Sequence, residues 1–168
     1  MAADEEAPIY LAYHAATASS GWHYANRFSR AKYVPLTNFC RYTGLIWIPY
    51  SVLDRSDIDG PLVEAPSLVK VNGVYVLFFS SNCYSGSLYD TSYATATNIK
   101  GPYTKAQAPY APLLQTGTPY PQLYSPGGLD VGPDGVNVVF HADLGTTADT
   151  RQMYVGQIAV TGNTVHFT

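Results

Sequence analysis

The sequence predicts an all-β fold assembled from repeated antiparallel units. Three observations carry this reading. First, two dipeptides, Asn72-Gly73 and Asp134-Gly135, each lie between two apolar runs. Asn-Gly and Asp-Gly are the strongest short hairpin signals, because both central residues of a type I′ turn take positive φ. Second, three segments resemble one another: EAPIYLAYH (Glu6 to His14), EAPSLVKVNGVYVLFFS (Glu64 to Ser80) and SPGGLDVGPDGVNVVFH (Ser125 to His141). Third, no stretch carries a sustained helical apolar period with caps.

In chain order, each of the two later units starts with a strand, a tight turn and a second strand. A third strand candidate follows, SYATAT from Ser92 or RQMYVGQIAV from Arg151. A fourth apolar piece closes each unit, near Leu113-Leu114 and near Val165 to Phe167. Repeated four-stranded units of this kind predict a β-propeller, here incomplete, with about three blades. The period exceeds the roughly 40–45 residues of the best-known propeller repeat, because the inner loops are long. The units are expected at about 1–58, 59–120 and 121–168. Within the first, residues 15–50 show no clean alternation, and only GLIWIPYSVL (Gly44 to Leu53) reads as strand. Asp54, Asp57 and Asp59 read as turn chemistry and solvated charge in the loop entering the second unit.

The bulk composition narrows the partner class. With 168 residues the chain is long enough for one domain with a sizeable core. Charged residues make up 12% and hydrophobic ones 46%, which opposes disorder. The net charge of −3 and the lack of a Lys/Arg cluster oppose a nucleic-acid partner. No apolar run approaches a membrane span, and MAADEEAPIY lacks the apolar core of a secretory signal. Fifteen tyrosines suit contact with a sugar or a protein surface, and equally suit strands. Two cysteines, Cys40 and Cys83, specify little by themselves.

Glu64 is the carboxylate that draws attention. It stands at the start of the innermost strand of its unit, flanked by Val63, Ala65 and Pro66. Innermost strand starts line the mouth of a propeller's central channel. Partial desolvation favours a neutral carboxyl, the form a general acid needs. The pattern alone favours a strand-end carboxylate that caps backbone N–H groups or faces water.

A resemblance sharpens the choice. LDRSDIDGPLVEAPSLVKVNGVYVLFFSSNCYSGSLYDTSYATATNIKGPYTK resembles the fourth blade of glycoside hydrolase family 43. YSPGGLDVGPDGVNVVFHADLGTTADTRQMYVGQI resembles its fifth, so the likeness runs from about Val52 to Ile158. The Glu-Ala-Pro, Asn-Gly-x-Tyr, Ser-Ser-Asn and Pro-Asp-Gly…Phe-His elements are specific in this order, though each is weak alone. The resemblance implies a five-bladed propeller that cleaves arabinose- and xylose-containing polysaccharides with inversion. It also implies secretion, hence an extracellular setting.

Residue by residue, Glu64 matches the family's general acid. His141 matches a histidine that faces the channel and helps hold a calcium ion, often through water; an ordinary hydrogen-bonded histidine is the alternative, since calcium prefers oxygen ligands. Arg151 matches an arginine near the substrate pocket. Ser81, Asn82 and Tyr84 offer polar and stacking contacts to a sugar, or simply turn chemistry. Inversion needs a base carboxylate about 6.5–9.5 Å from the acid. The resemblance places that base on the first blade, and an aspartate that tunes the acid on the third. Neither has a match in this sequence, so the lone chain is expected to be catalytically impaired. The competing reading is a non-catalytic sugar-binding remnant, or a homo-oligomer that completes its ring by association. Open blades favour such association, because uncovered sheet edges and faces must be paired or capped.

Overall fold

The computed structural model describes residues 52–145 and 150–168 in full, together with the backbone strands at 9–12, 32–35 and 50–51. Eleven strands form three antiparallel sheets among these residues. The first sheet has the order β1 (Ile9–Ala12), β2 (Lys32–Pro35), β3 (Tyr50–Ser51). The second runs β4 (Val63–Val71), β5 (Val74–Ser81), β6 (Asp90–Ala96), β7 (Thr104–Lys105). The third runs β8 (Tyr124–Val131), β9 (Asn137–Asp143), β10 (Arg151–Thr161), β11 (Thr164–Phe167). The second and third sheets are four-stranded meanders whose strand order follows the chain. This is the all-β, incomplete propeller that the repeats predict. No helix among the described residues is long and apolar enough to cross a membrane.

The Asn72-Gly73 hairpin forms as expected: φ is +50° and +85° at the two residues, and Val71 pairs with Val74. The Asp134-Gly135 hairpin differs. Only Gly135 takes positive φ (+69°), in a five-residue loop from Gly132 to Val136. The Gly135 N–H donates to the Gly132 carbonyl, and Asp134 Oδ1 accepts from the N–H groups of Val136 and Asn137. Asp134 therefore works as a side-chain turn acceptor and needs no left-handed backbone.

Three further expectations change. The fourth strand of the second sheet is Thr104–Lys105, paired with Thr95 and Ala94, whereas Leu113 and Leu114 enter the core from a loop. Leu114 touches the sheet only through an isolated bridge to Thr91. Pro102, Pro109, Pro112, Pro119 and Pro121 lack the N–H that a ladder strand donates, which opposes a long outer strand there. Of GLIWIPYSVL, Tyr50–Ser51 is strand and 44–49 lie outside the described residues. Lys32–Pro35 is a strand inside the stretch read as irregular. Cys40 lies outside the described residues. Asp59 is not a solvated charge: it is buried, accepts from the N–H and hydroxyl of Ser56, and pairs with Lys105.

Strand alternation explains the two hydrophobic clusters. Val76 and Phe78 point one way from β5, into a core shared with Leu129, Val138, Phe140, Ile158 and Val165 of the third sheet. Leu77 and Phe79 point the other way, toward Leu53, Val63 and Ala94. The second sheet is thus covered on both faces, and β5 reads as a nearly continuous apolar run for that reason. Polar stitches fix how the two sheets meet. Ser67 Oγ donates to Asp130 at 2.6 Å and accepts from the Val131 N–H. The Val165 N–H donates to Tyr93 Oη at 3.1 Å.

Candidate functional site

The site grows from the first turn of β4. Glu64 pairs with Ser80 in register, and the ladder then slips by a bulge between Glu64 and Ser67. Ala65 carries the slip with φ of +49°, ahead of Pro66. Bulges re-aim side chains at strand ends, and here the bulge sets the direction of Glu64. The carboxyl is half-buried. Its Oε1 accepts a 2.6 Å hydrogen bond from Tyr89 Oη.

Tyr89 is 1% exposed and lies in the turn before β6. Burial, followed by the hydrogen bond to Glu64, pushes its phenol far above the ordinary tyrosine range, so it stays a donor at any physiological pH. One edge of the ring rests on Gly127, where a Cβ would overlap it. A second glycine, Gly128 (φ +62°), makes the same allowance for the His141 ring. The Tyr89 and His141 rings stack at 6.4 Å between centroids and 15° between planes.

Arg151 closes the cluster. Its Nε donates to His141 Nδ1 at 2.6 Å, and its Nη2 to the Ser125 carbonyl at 2.6 Å. Nη1 reaches the Tyr84 carbonyl at 3.1 Å and Asp143 Oδ1 at 3.2 Å. The guanidinium also lies over the Tyr89 ring, 5.3 Å from its centroid. Burial, and then the Arg151 charge, lower the His141 pKa below the ordinary histidine value. The neutral ring accepts at Nδ1 and so carries its proton on Nε2.

Glu64, His141 and Arg151, separated by up to 87 positions of chain, are therefore linked through one tyrosine ring. The other predicted contacts divide. Ser81 is 2% exposed, and its hydroxyl donates to Asp90, as does the Asn82 amide. Together with Ser92 they hold the Asp90 carboxyl, whose pKa burial raises against those hydrogen bonds. Tyr84 is 57% exposed beside Arg151, and it is the one of the three whose ring faces solvent. Cys83 is a free, exposed thiol.

The His141 imidazole offers a calcium ion no direct ligand in this arrangement. With Nδ1 accepting from Arg151, the neutral imidazole has no lone pair left for an ion. No group of three or more His, Cys, Asp or Glu side chains able to hold a metal occurs among the described residues.

Tyr89, Ser80 and Asp143 escaped the sequence reading. SGSLYDT carries no periodic signal that would single out its tyrosine. The Gly127-Gly128 pair was the available clue, since glycine inside a strand marks a close approach.

Comparison with known proteins agrees with this architecture. No family model matches the chain, and no curated protein does. Solved structures do. The chain is similar to a thermostable family 43 glycoside hydrolase at 25% identity and a TM-score of 0.59, over 74% of this chain and 43% of that one. An endo-1,4-β-xylanase from Bacteroides thetaiotaomicron is 32% identical with a TM-score of 0.54, over 63% of this chain and 37% of that one. An α-L-arabinanase from Cellvibrio cellulosa, solved with arabinohexaose, shares the fold at 19% identity and a TM-score of 0.50, over 63% of this chain and 36% of that one. The chain spans less than half the length of each of these structures. Its fold is that of a partial β-propeller, similar to the corresponding part of these glycoside hydrolases.

Proposed function

We propose that the chain contributes the acid half of a glycosidase site acting on arabinose- or xylose-containing polysaccharide outside the cell, with Glu64 as proton donor. The observation that carries this is the placement of Glu64. It stands at the bulged start of an inner strand, held at Oε1 by a buried tyrosine and faced by the Arg151 cluster of the next blade. A donor in that setting protonates the leaving oxygen as the glycosidic bond breaks, a contribution of about 10²–10⁴-fold in rate. Arg151 and the exposed Tyr84 ring offer a charged and a stacking contact to sugar hydroxyls and ring faces.

On this reading the mechanism is inverting. The water is then activated by a second carboxylate about 6.5–9.5 Å away, on the far side of the sugar ring. The resemblance assigns that base to the first blade and the aspartate that tunes the acid to the third, and neither has a match among these residues, so the chain alone turns over slowly. The test uses arabinobiose and xylobiose, whose poor leaving groups depend on the acid, with the product anomer followed by NMR. Turnover with inversion that Glu64→Gln abolishes supports the reading. Retention of configuration would overturn inversion, and turnover that survives Glu64→Gln would remove Glu64 from the chemistry.

One observation favours a second reading, in which copies associate to complete the ring. Met153 and Val155 on β10 are 76% and 79% exposed and adjacent on one sheet face. A single monomeric species by light scattering at working concentration would exclude it. Sugar binding without turnover would favour a binding module over an enzyme.

A further inference from the structure

We infer that Tyr89 is a positioning residue for Glu64, the last link of a directed hydrogen-bond chain that begins in the neighbouring blade. This inference rests on the reading of Glu64 as the acid. The chain starts at the Gly128 N–H, which donates to Ser80 Oγ at 2.8 Å. Ser80 is fully buried, and its side chain hydrogen-bonds Tyr89. Because the Tyr89 phenol donates its one proton to Glu64 Oε1, 2.6 Å away, the Ser80 hydroxyl is the donor in its bond to Tyr89 Oη. Every donor in the series faces the same way, an arrangement in which each bond polarises the next.

The geometry around the ring supports a dedicated role. Tyr89 is clamped on one side by Gly127, on another by the His141 ring, and on its face by the Arg151 guanidinium. All three belong to the third sheet, whereas Glu64 and Ser80 belong to the second. The acid's orientation is therefore set by how the two blades dock, through one phenol. A tyrosine needed only as core filler would not require its hydroxyl. A phenylalanine in its place would keep the stack and the contact with Gly127.

The variants Tyr89→Phe, Ser80→Ala and Glu64→Gln in the full chain separate these roles. Kinetics are read on two xylosides that differ only in leaving group, 4-nitrophenyl β-D-xyloside and xylobiose. Thermal unfolding serves as the folding control. A good leaving group needs little proton donation, so loss of acid positioning falls on xylobiose. For Tyr89→Phe the expected result is a fall in kcat of about 10–100-fold on xylobiose. KM stays within about twofold, and the nitrophenyl substrate loses far less. Equal losses on both substrates, or no loss on xylobiose, would overturn the inference. The second measurement needs no turnover. With glutamate side chains ¹³C-labelled, the Glu64 signal is assigned by its absence in Glu64→Gln, and its side-chain order is compared between wild type and Tyr89→Phe. Loss of order in the variant is expected, and unchanged order overturns the inference. Should Glu64→Gln turn over xylobiose as fast as wild type while Tyr89→Phe still loosens Glu64, the acid assignment fails and the positioning contact stands.

Discussion

The two fully described blades use the same backbone device at the same place and put it to different ends. Blade β4–β7 opens on Glu64-Ala65-Pro66, and blade β8–β11 opens on Tyr124-Ser125-Pro126. Both ladders bulge there, and the residue before proline takes a positive φ in each, +49° at Ala65 and +47° at Ser125. Such φ values are strained for non-glycine residues and persist only where the surroundings over-determine them. In the first blade the device aims a carboxylate. In the second, Ser125 offers its carbonyl to Arg151, and Gly127 and Gly128, just beyond Pro126, make room for Tyr89 and His141. One blade carries the acid and the other carries its mounting. The blades differ also in cover. The first is buried on both faces, whereas the second leaves Met153 and Val155 bare.

The sharpest way to break this division is Glu64→Gln, which is expected to cost about 10²–10⁴-fold in kcat on arabinosides or xylosides and to leave thermal unfolding nearly unchanged. Any activity loss from a change at Tyr124 should be far smaller.

The cover of the two blades can be compared by truncation. Phe78→Ala, in the core shared by both sheets, should cost about 3–5 kcal/mol in denaturant unfolding. Met153→Ala, on the bare face, should fall within about 0.5 kcal/mol. A large loss at Met153 would mean that the face is covered in solution.

The mounting role of the second blade is tested by Gly127→Ala. The added methyl overlaps the Tyr89 ring, so a loss of about 1–3 kcal/mol is expected from overpacking. Activity on poor leaving groups should fall with it. The smallest effect concerns pH. The folded-state pKa of His141 lies below its ordinary value, so the unfolded chain binds its proton more readily. Stability from this group is complete above about pH 6.5 and declines as pH falls from there toward the lowered folded value. In His141→Gln that segment of the stability–pH curve should flatten.

The parts legible in the sequence were those encoded locally. Asn72-Gly73 announces its hairpin because a type I′ turn needs two left-handed residues and few dipeptides supply them. The apolar runs on either side place β4 and β5 to within a residue or two, and Glu64 then falls on the inner strand. Asp134-Gly135 gave the position of a hairpin and not its type, because an aspartate can close a turn with its side chain as well as with its backbone. Leu113 and Leu114 look like strand because they are buried. Burial is what apolarity reports, and a loop folded into a core satisfies it equally.

What the sequence by itself determined is the repeated all-β meander and the carboxylate at the head of one inner strand, since turn dipeptides and period-two alternation act over a few residues. What only the tertiary structure decided is who holds that carboxylate. Tyr89 lies 25 positions from Glu64, and its clamps Gly127, His141 and Arg151 come from another sheet. No local pattern records such a meeting. It exists because two blades dock on a shared core and bring one imidazole and one guanidinium against the phenol that holds the carboxylate.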